Sequence, residues 1–276
     1  MLSFHRTLSV FALILAVWAT PIVAPRAEGL DLTTADIVDL THPLDSDTIY
    51  WPTEAKGFEL TPIFEGKTKG PEGYFYAAFR FCAPEHGGTH LDAPYHFAEG
   101  RKTTAEIPVK RLIGPAVVID ISEKAATNRD YLLSIEDVTA WEAEHGKVPT
   151  GSIVLLRTGW SSRWPDRLAY MGDDTPGDAS NLHFPSYGPA AARMLVDRGA
   201  MVLGIDTASI DNGPSRKFLV HRIAGAANVA GLENLTNLDK LPPTGSWVAA
   251  LPMKIARGSG APARVVAFLP RPAAAP

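Results

Sequence analysis

Residues 85–97 read EHGGTHLDAPYHF, and this window holds three of the chain's eight histidines, with one aspartate and two adjacent glycines. His86 and His90 are spaced i, i+4, which on a helix would put both on one face, as in the H-E-x-x-H zinc motif. Composition argues against that helix. Gly87 stands where the motif has its glutamate, each glycine costs a helix about 1 kcal/mol relative to alanine, and Pro94 blocks continuation. A glycine-hinged loop running into an extended segment fits better. In extended backbone His90 and Asp92 project from the same face. His86, His90 and Asp92 then form a mixed nitrogen and oxygen donor set suited to divalent Zn, Mn or Fe. His96 lies across Pro94, where a histidine that does not ligate can act as general base and then general acid. The bland alternative is a histidine-rich polar loop, which the density of donors in so short a window disfavours.

Outward from this window the chain reads as short strands with a few helices between them. DIVDLTHPL (36–44) is a strand entering a turn at Pro43, GYFYAAFRFC (73–82) a strand delivering the chain into the cluster, and PAVVIDIS (115–122) a β-branched buried strand. Residues 134–146 read as a helix, with Ser134 as N-cap, Asp137 three residues on and Gly146 at its end. SIVLLRTGW (152–160) is a further strand. A helix over 187–199 leads into the strand AMVLGID (200–206), and SWVAALPMKIA and ARVVAFLP suggest a closing strand pair. The expected class is α/β, with a mixed sheet and helices on one side. GSGAPA (258–263) lacks the G-x-G-x-x-G spacing of a dinucleotide loop.

The 276 residues are 46% apolar and 20% charged with a net charge of −4, enough for a sizeable core and without the basic stripe that nucleic acid requires. Residues 1–27 have the layout of a secretory signal peptide, with Arg6, an apolar run and a small-residue end. The mature chain is expected over 28–276, exported to the periplasm or secreted and free of the membrane once the signal is removed. The single cysteine, Cys82, allows no internal disulfide and is expected to be a small buried hydrophobe.

The stretch resembles H-x-G-T-H-x-D-x-P-x-H-F, the signature of the metal-dependent cyclase family, which includes bacterial kynurenine formamidases and isatin hydrolases. His86, Gly88, Thr89, His90, Asp92, Pro94, His96 and Phe97 carry the match. DLTHPL, GIDTASID (204–211) and HRIAGAANVAGLENL (221–235) extend it over roughly residues 36 to 270. The resemblance implies a swivelling β/β/α fold in a single domain, usually in homodimers or higher homo-oligomers with a neighbouring subunit close to the active site. It implies that His86, His90 and Asp92 bind one metal. It also implies that Asp92 bridges to a second metal held by His221 and Glu233, and that His96 shuttles protons. Single-metal members carry glutamine at the glutamate position, so Glu233 favours two ions per chain, Zn or Mn.

The implied activity is hydrolysis of a C–N amide in a small molecule, either an aryl formamide such as N-formylkynurenine or a cyclic amide such as isatin. The export signal departs from the cytoplasmic setting of the formamidases and counts against that particular substrate. Two other readings are an esterase or lactonase with the same site, and a non-catalytic exported metal- or ligand-binding protein. Trp51 and Phe97 are candidate substrate contacts, with Tyr95 a further aromatic nearby. Thr89 is expected to anchor the loop through its hydroxyl, and Asp206 and Asp211 to hold backbone N–H groups. His183 is expected to be structural or solvated.

Overall fold

The protein is described by a computed structural model over residues 30–271, and the expected signal peptide lies outside the described residues. Twelve strands and five helices follow in chain order. They are β1 (Asp36–Asp39), β2 (Glu59–Lys67), β3 (Phe75–Cys82), β4 (His90–Asp92), β5 (Ile113–Asp120), α1 (Ser122–Thr127), β6 (Leu132–Leu133), α2 (Ile135–His145), β7 (Ile153–Arg157), α3 (Arg167–Met171), β8 (Ser186–Tyr187), α4 (Pro189–Asp197), β9 (Val202–Ile205), α5 (Leu219–Ala226), β10 (Ala230–Glu233), β11 (Trp247–Pro252) and β12 (Gly260–Leu269). The main sheet has eight strands in the order β1-β12-β11-β5-β7-β9-β10-β4, and β4 also pairs with β12. That last pairing closes β12, β11, β5, β7, β9, β10 and β4 into a barrel-like sheet, with β1 added at β12. The run β5-β7-β9-β10 is parallel and the remaining pairs are antiparallel, so the sheet is mixed, as expected.

Side chains alternate along each strand and build two cores. Val117, Ile119, Val154 and Leu156 pack outward under α2, α4 and α5. Ala116, Val118, Ile153 and Leu155 turn the other way and meet Leu91, Leu232, Val248 and Val265. Leu91 on β4 belongs to this second core, so its neighbours His90 and Asp92 face the opposite side, where α5 packs. The expected helix over 134–146 is present with the anticipated cap. The Ser134 side chain accepts from the Asp137 N–H, and the Asp137 side chain accepts from the Ser134 N–H.

One expectation fails. β3 does deliver the chain into the histidine window, but it does so from a separate two-stranded arm with β2. Among the described residues no second layer covers that arm, so Cys82 is exposed rather than buried.

Candidate metal centre

β4 sits between β10 and β12, with Glu233 opposite His90 and Gly260 opposite Asp92 in the two registers. This placement brings the 85–97 window to Glu233 and, through α5, to His221. The Asp92 carboxylate lies at the centre. Its Oδ1 is 2.6 Å from His86 Nδ1 and 3.2 Å from His90 Nε2, and its Oδ2 is 3.1 Å from His221 Nε2. Glu233 faces the same histidines, with Oε1 3.2 Å from His221 Nε2 and Oε2 3.5 Å from His90 Nε2. Two donors bound to one ion at about 2.0–2.2 Å stand about 3–3.5 Å apart, which most of these separations match. One carboxylate oxygen of Asp92 faces His86 and His90 and the other faces His221, the disposition of a bridging ligand.

Hydrogen bonds fix which nitrogen each imidazole presents. The Ser259 hydroxyl donates to Glu85 at 2.6 Å, so at 2.9 Å it accepts from His86 Nε2–H and leaves Nδ1 bare toward Asp92. His90 Nδ1 donates to the Gly88 carbonyl at 2.9 Å, leaving Nε2 buried without a hydrogen-bond partner. His221 Nδ1 donates to Asp211 at 2.8 Å and turns Nε2 to the centre. Three bare imidazole nitrogens converging on two buried carboxylates form a donor set that lacks positive charge, which a divalent cation supplies.

The ionisation of the groups reflects the same demand for positive charge, which protons on His90 and His221 also meet. Burial works against the charged form of His90, but Asp92 and Glu233 outweigh it and raise the imidazole to about 9. Burial likewise opposes charge on His221, yet Asp211, Asp92 and Glu233 raise it well above the ordinary histidine range. Burial would raise Asp92, but His90 and His86 hold its carboxylate well below the usual range. His96 goes the other way. Burial lowers it to about 3 against the pull of Asp92, so it is neutral near pH 7. Its ring stacks on His86 with centroids 3.8 Å apart. A nitrogen of His96 also lies within 4.8 Å of donors on His86 and Asp92.

The structure brings together every residue singled out for the centre: His86, His90, Asp92, His96, His221 and Glu233. Trp51 and Phe97 line the adjoining cavity of about 220 Å³, with Ile49, Tyr50 and Phe218. Tyr95 is exposed and lies outside that lining. His183 pairs with Asp130 at 2.8 Å, also outside it. Thr89 donates to the Asn234 carbonyl at 2.6 Å and accepts from the His42 N–H at 2.9 Å, anchoring the loop as expected. Asp206 accepts from the N–H groups of Thr158 and Gly159. Asp211 accepts from those of Val220 and His221 and, beyond expectation, orients the His221 ring.

Sequence reasoning missed Glu85, Ser259 and Gly260. Glu85 adjoins His86 and was open to notice. Nothing in the sequence marked Gly260, where an added Cβ would run into the His86 ring.

A loop histidine, His86, joins His90 and Asp92 on the barrel wall, His221 on α5 and Glu233 on β10, the donor set of a metal-dependent hydrolase. Residues 38–212 match the family model described as putative cyclase. The isatin hydrolase of Roseibium aggregatum is 35% identical over 248 residues, covering 86% of this chain and 92% of that protein. The kynurenine formamidase of Paracidovorax citrulli is 30% identical over 230 residues, covering 80% and 96%. A crystal structure of an isatin hydrolase bound to the product analogue thioisatinate superposes with a TM-score of 0.77 at 34% identity, covering 87% and 94%. The chain belongs to the cyclase family.

Proposed function

We propose that this enzyme hydrolyses the C–N bond of a neutral aromatic cyclic amide of the isatin type. The observation that carries the reading is the Asp92-centred donor set at the floor of an aromatic-walled cavity. Trp51, Phe97 and Phe218 give the cavity an aromatic lining suited to a flat substrate, with Phe97 and Phe218 centroids 5.1 Å apart. Among the described residues no Lys or Arg lines the cavity, and its one peripheral charge is the exposed Glu54. A free amino-acid carboxylate, as in N-formylkynurenine, finds no cationic partner there.

His86, His90 and Asp92 would hold one divalent ion, Zn or Mn, and Asp92, His221 and Glu233 a second. Bound metal supplies Lewis acidity that polarises the amide carbonyl and brings the ionisation of water towards neutrality. The protein's own part is to position and to move protons. The aromatic walls stack the ring and exclude water. Neutral His96 takes the proton of the attacking water on its imidazole and returns it to the leaving nitrogen.

The enzyme acts after export, a reading supported by the layout of residues 1–27. It works as a homodimer, supported by the β2–β3 arm, which leaves Leu60, Ile63, Phe75, Phe79 and Phe81 exposed on two uncovered faces. Light scattering on wild type and Phe79→Lys tests this; a wild-type monomer would contradict it.

The substrate reading is tested by initial rates of the metal-loaded protein on isatin, N-formylkynurenine and a small lactone. The expected order puts isatin first. Faster turnover of N-formylkynurenine or of the lactone would overturn it.

A further inference from the structure

Asn234 follows the ligand Glu233, is 2% exposed, and takes a left-handed backbone with φ of 56°. Each of its polar groups is used. Its N–H donates to the Thr207 carbonyl at 2.9 Å, and its carbonyl accepts from the Thr89 hydroxyl at 2.6 Å. Its Oδ1 lies 2.9 Å from the Tyr170 hydroxyl. Its Nδ2 donates to the Gly88 carbonyl at 2.8 Å. That carbonyl also accepts from His90 Nδ1 at 2.9 Å. One oxygen therefore receives both the amide proton of Asn234 and the ring proton of a metal-binding histidine.

Resting on the metal reading of the centre, we infer that Asn234 is a positioning residue for the metal. It fixes the Gly88 carbonyl, which holds the proton on His90 Nδ1 and turns a bare Nε2 to the ion. Gly88 itself has φ of 57°, so its peptide is set by a turn that few other residues adopt. A carbonyl in such a loop needs a second donor to stay aimed at one ring. Asn234 supplies it from the other half of the site, tying the loop before β4 to the end of β10. Tyr170 in turn fixes which end of the Asn234 amide faces Gly88. Its ring is fully buried and its hydroxyl also lies 3.2 Å from the Asp206 carbonyl.

The inference is tested by competition titration of the metal-stripped full chain with Zn²⁺ and with Mn²⁺. Asn234→Asp keeps the size and tolerates the left-handed backbone, but it sets a carboxylate oxygen against the Gly88 carbonyl. Loss of a hydrogen-bond partner behind a ligand weakens metal binding by about 10- to 100-fold, and that rise in Kd is expected. Tyr170→Phe frees the amide to rotate and should raise Kd less, in the same direction. Val117→Ala, a truncation in the outer core, lowers stability while leaving Kd within about twofold. If Asn234→Asp does not fold, Asn234→Gly carries the same test, since glycine keeps the backbone and removes the donor. An unchanged Kd in the Asn234 variant overturns the inference, as does an equal loss in Val117→Ala. Because the readout is metal affinity, the outcome stands apart from which amide the enzyme cleaves.

Discussion

His86, His90 and Asp92 reach the centre on backbone shaped by glycines, whereas His221 and Glu233 reach it on a helix and a strand end held by other side chains. In the first half Gly88 makes the turn, and Gly87 gives way to the Tyr50 ring, which an added Cβ would strike. His90 and Asp92 then follow on three residues of strand, with alternation doing the aiming. In the second half Asp211 receives two backbone N–H groups and the His221 ring, and the Ile210 N–H donates to Glu233 at 2.9 Å. The first half is a local motif and the second is a network, so they should break differently under substitution.

The largest effect is expected at Asp92, the carboxylate that faces the histidines of both halves. Asp92→Ala should lose metal and activity together, by more than the roughly 100-fold cost of disturbing a partner behind a ligand; activity assayed alongside metal analysis checks this. His96→Ala comes next. It should lower kcat by about 10²–10⁴-fold with metal content unchanged, and loss of metal would make His96 a ligand instead.

Within the second half, Asp211→Asn should weaken metal binding by about 10- to 100-fold, measured by competition titration. The amide still tolerates His221 but no longer gives a charged acceptor to its Nδ1–H. The smallest effect on either half is expected from Glu142, which is buried in a pair with Arg198 at 2.9 Å and Lys147 at 2.8 Å, far along the chain from every ligand. Hydrogen bonds from Arg198 above all hold its carboxyl down to about 2. A folded value below the unfolded one of about 4.3 means its stabilisation is present above that unfolded value and lost as pH falls towards the folded one. Glu142→Gln should therefore cost about 1.5–3 kcal/mol near neutrality, read by urea denaturation, with the gap from wild type closing in acid and metal affinity unmoved.

The same contrast explains what could be read from the chain alone. The first half packs its donors and hinges into thirteen residues, and each choice there has a local reason: Gly87 and Pro94 exclude the helix, and period-two alternation pairs His90 with Asp92. The strands 113–120 and 153–157 were legible because buried parallel strands read as unbroken apolar runs. His221 and Glu233 had no local signature and entered only through family resemblance. The partners that orient them, Asp211 and the Ile210 N–H, lie 10 and 23 residues away. Barrel closure through β4 was also hidden, because three residues pairing with strands about 140 and 170 positions later leave no periodic trace. Cys82 was misplaced for a related reason. An apolar run implies burial, but in the β2–β3 arm it faces solvent on both sides.

On the proposed reading both halves hold metal and share Asp92. Metal content per folded chain, measured on wild type and on Glu233→Gln after loading with Zn²⁺ and desalting, tests it most directly. Two ions are expected for wild type and one for the variant; the same content in both rules out a shared two-ion centre.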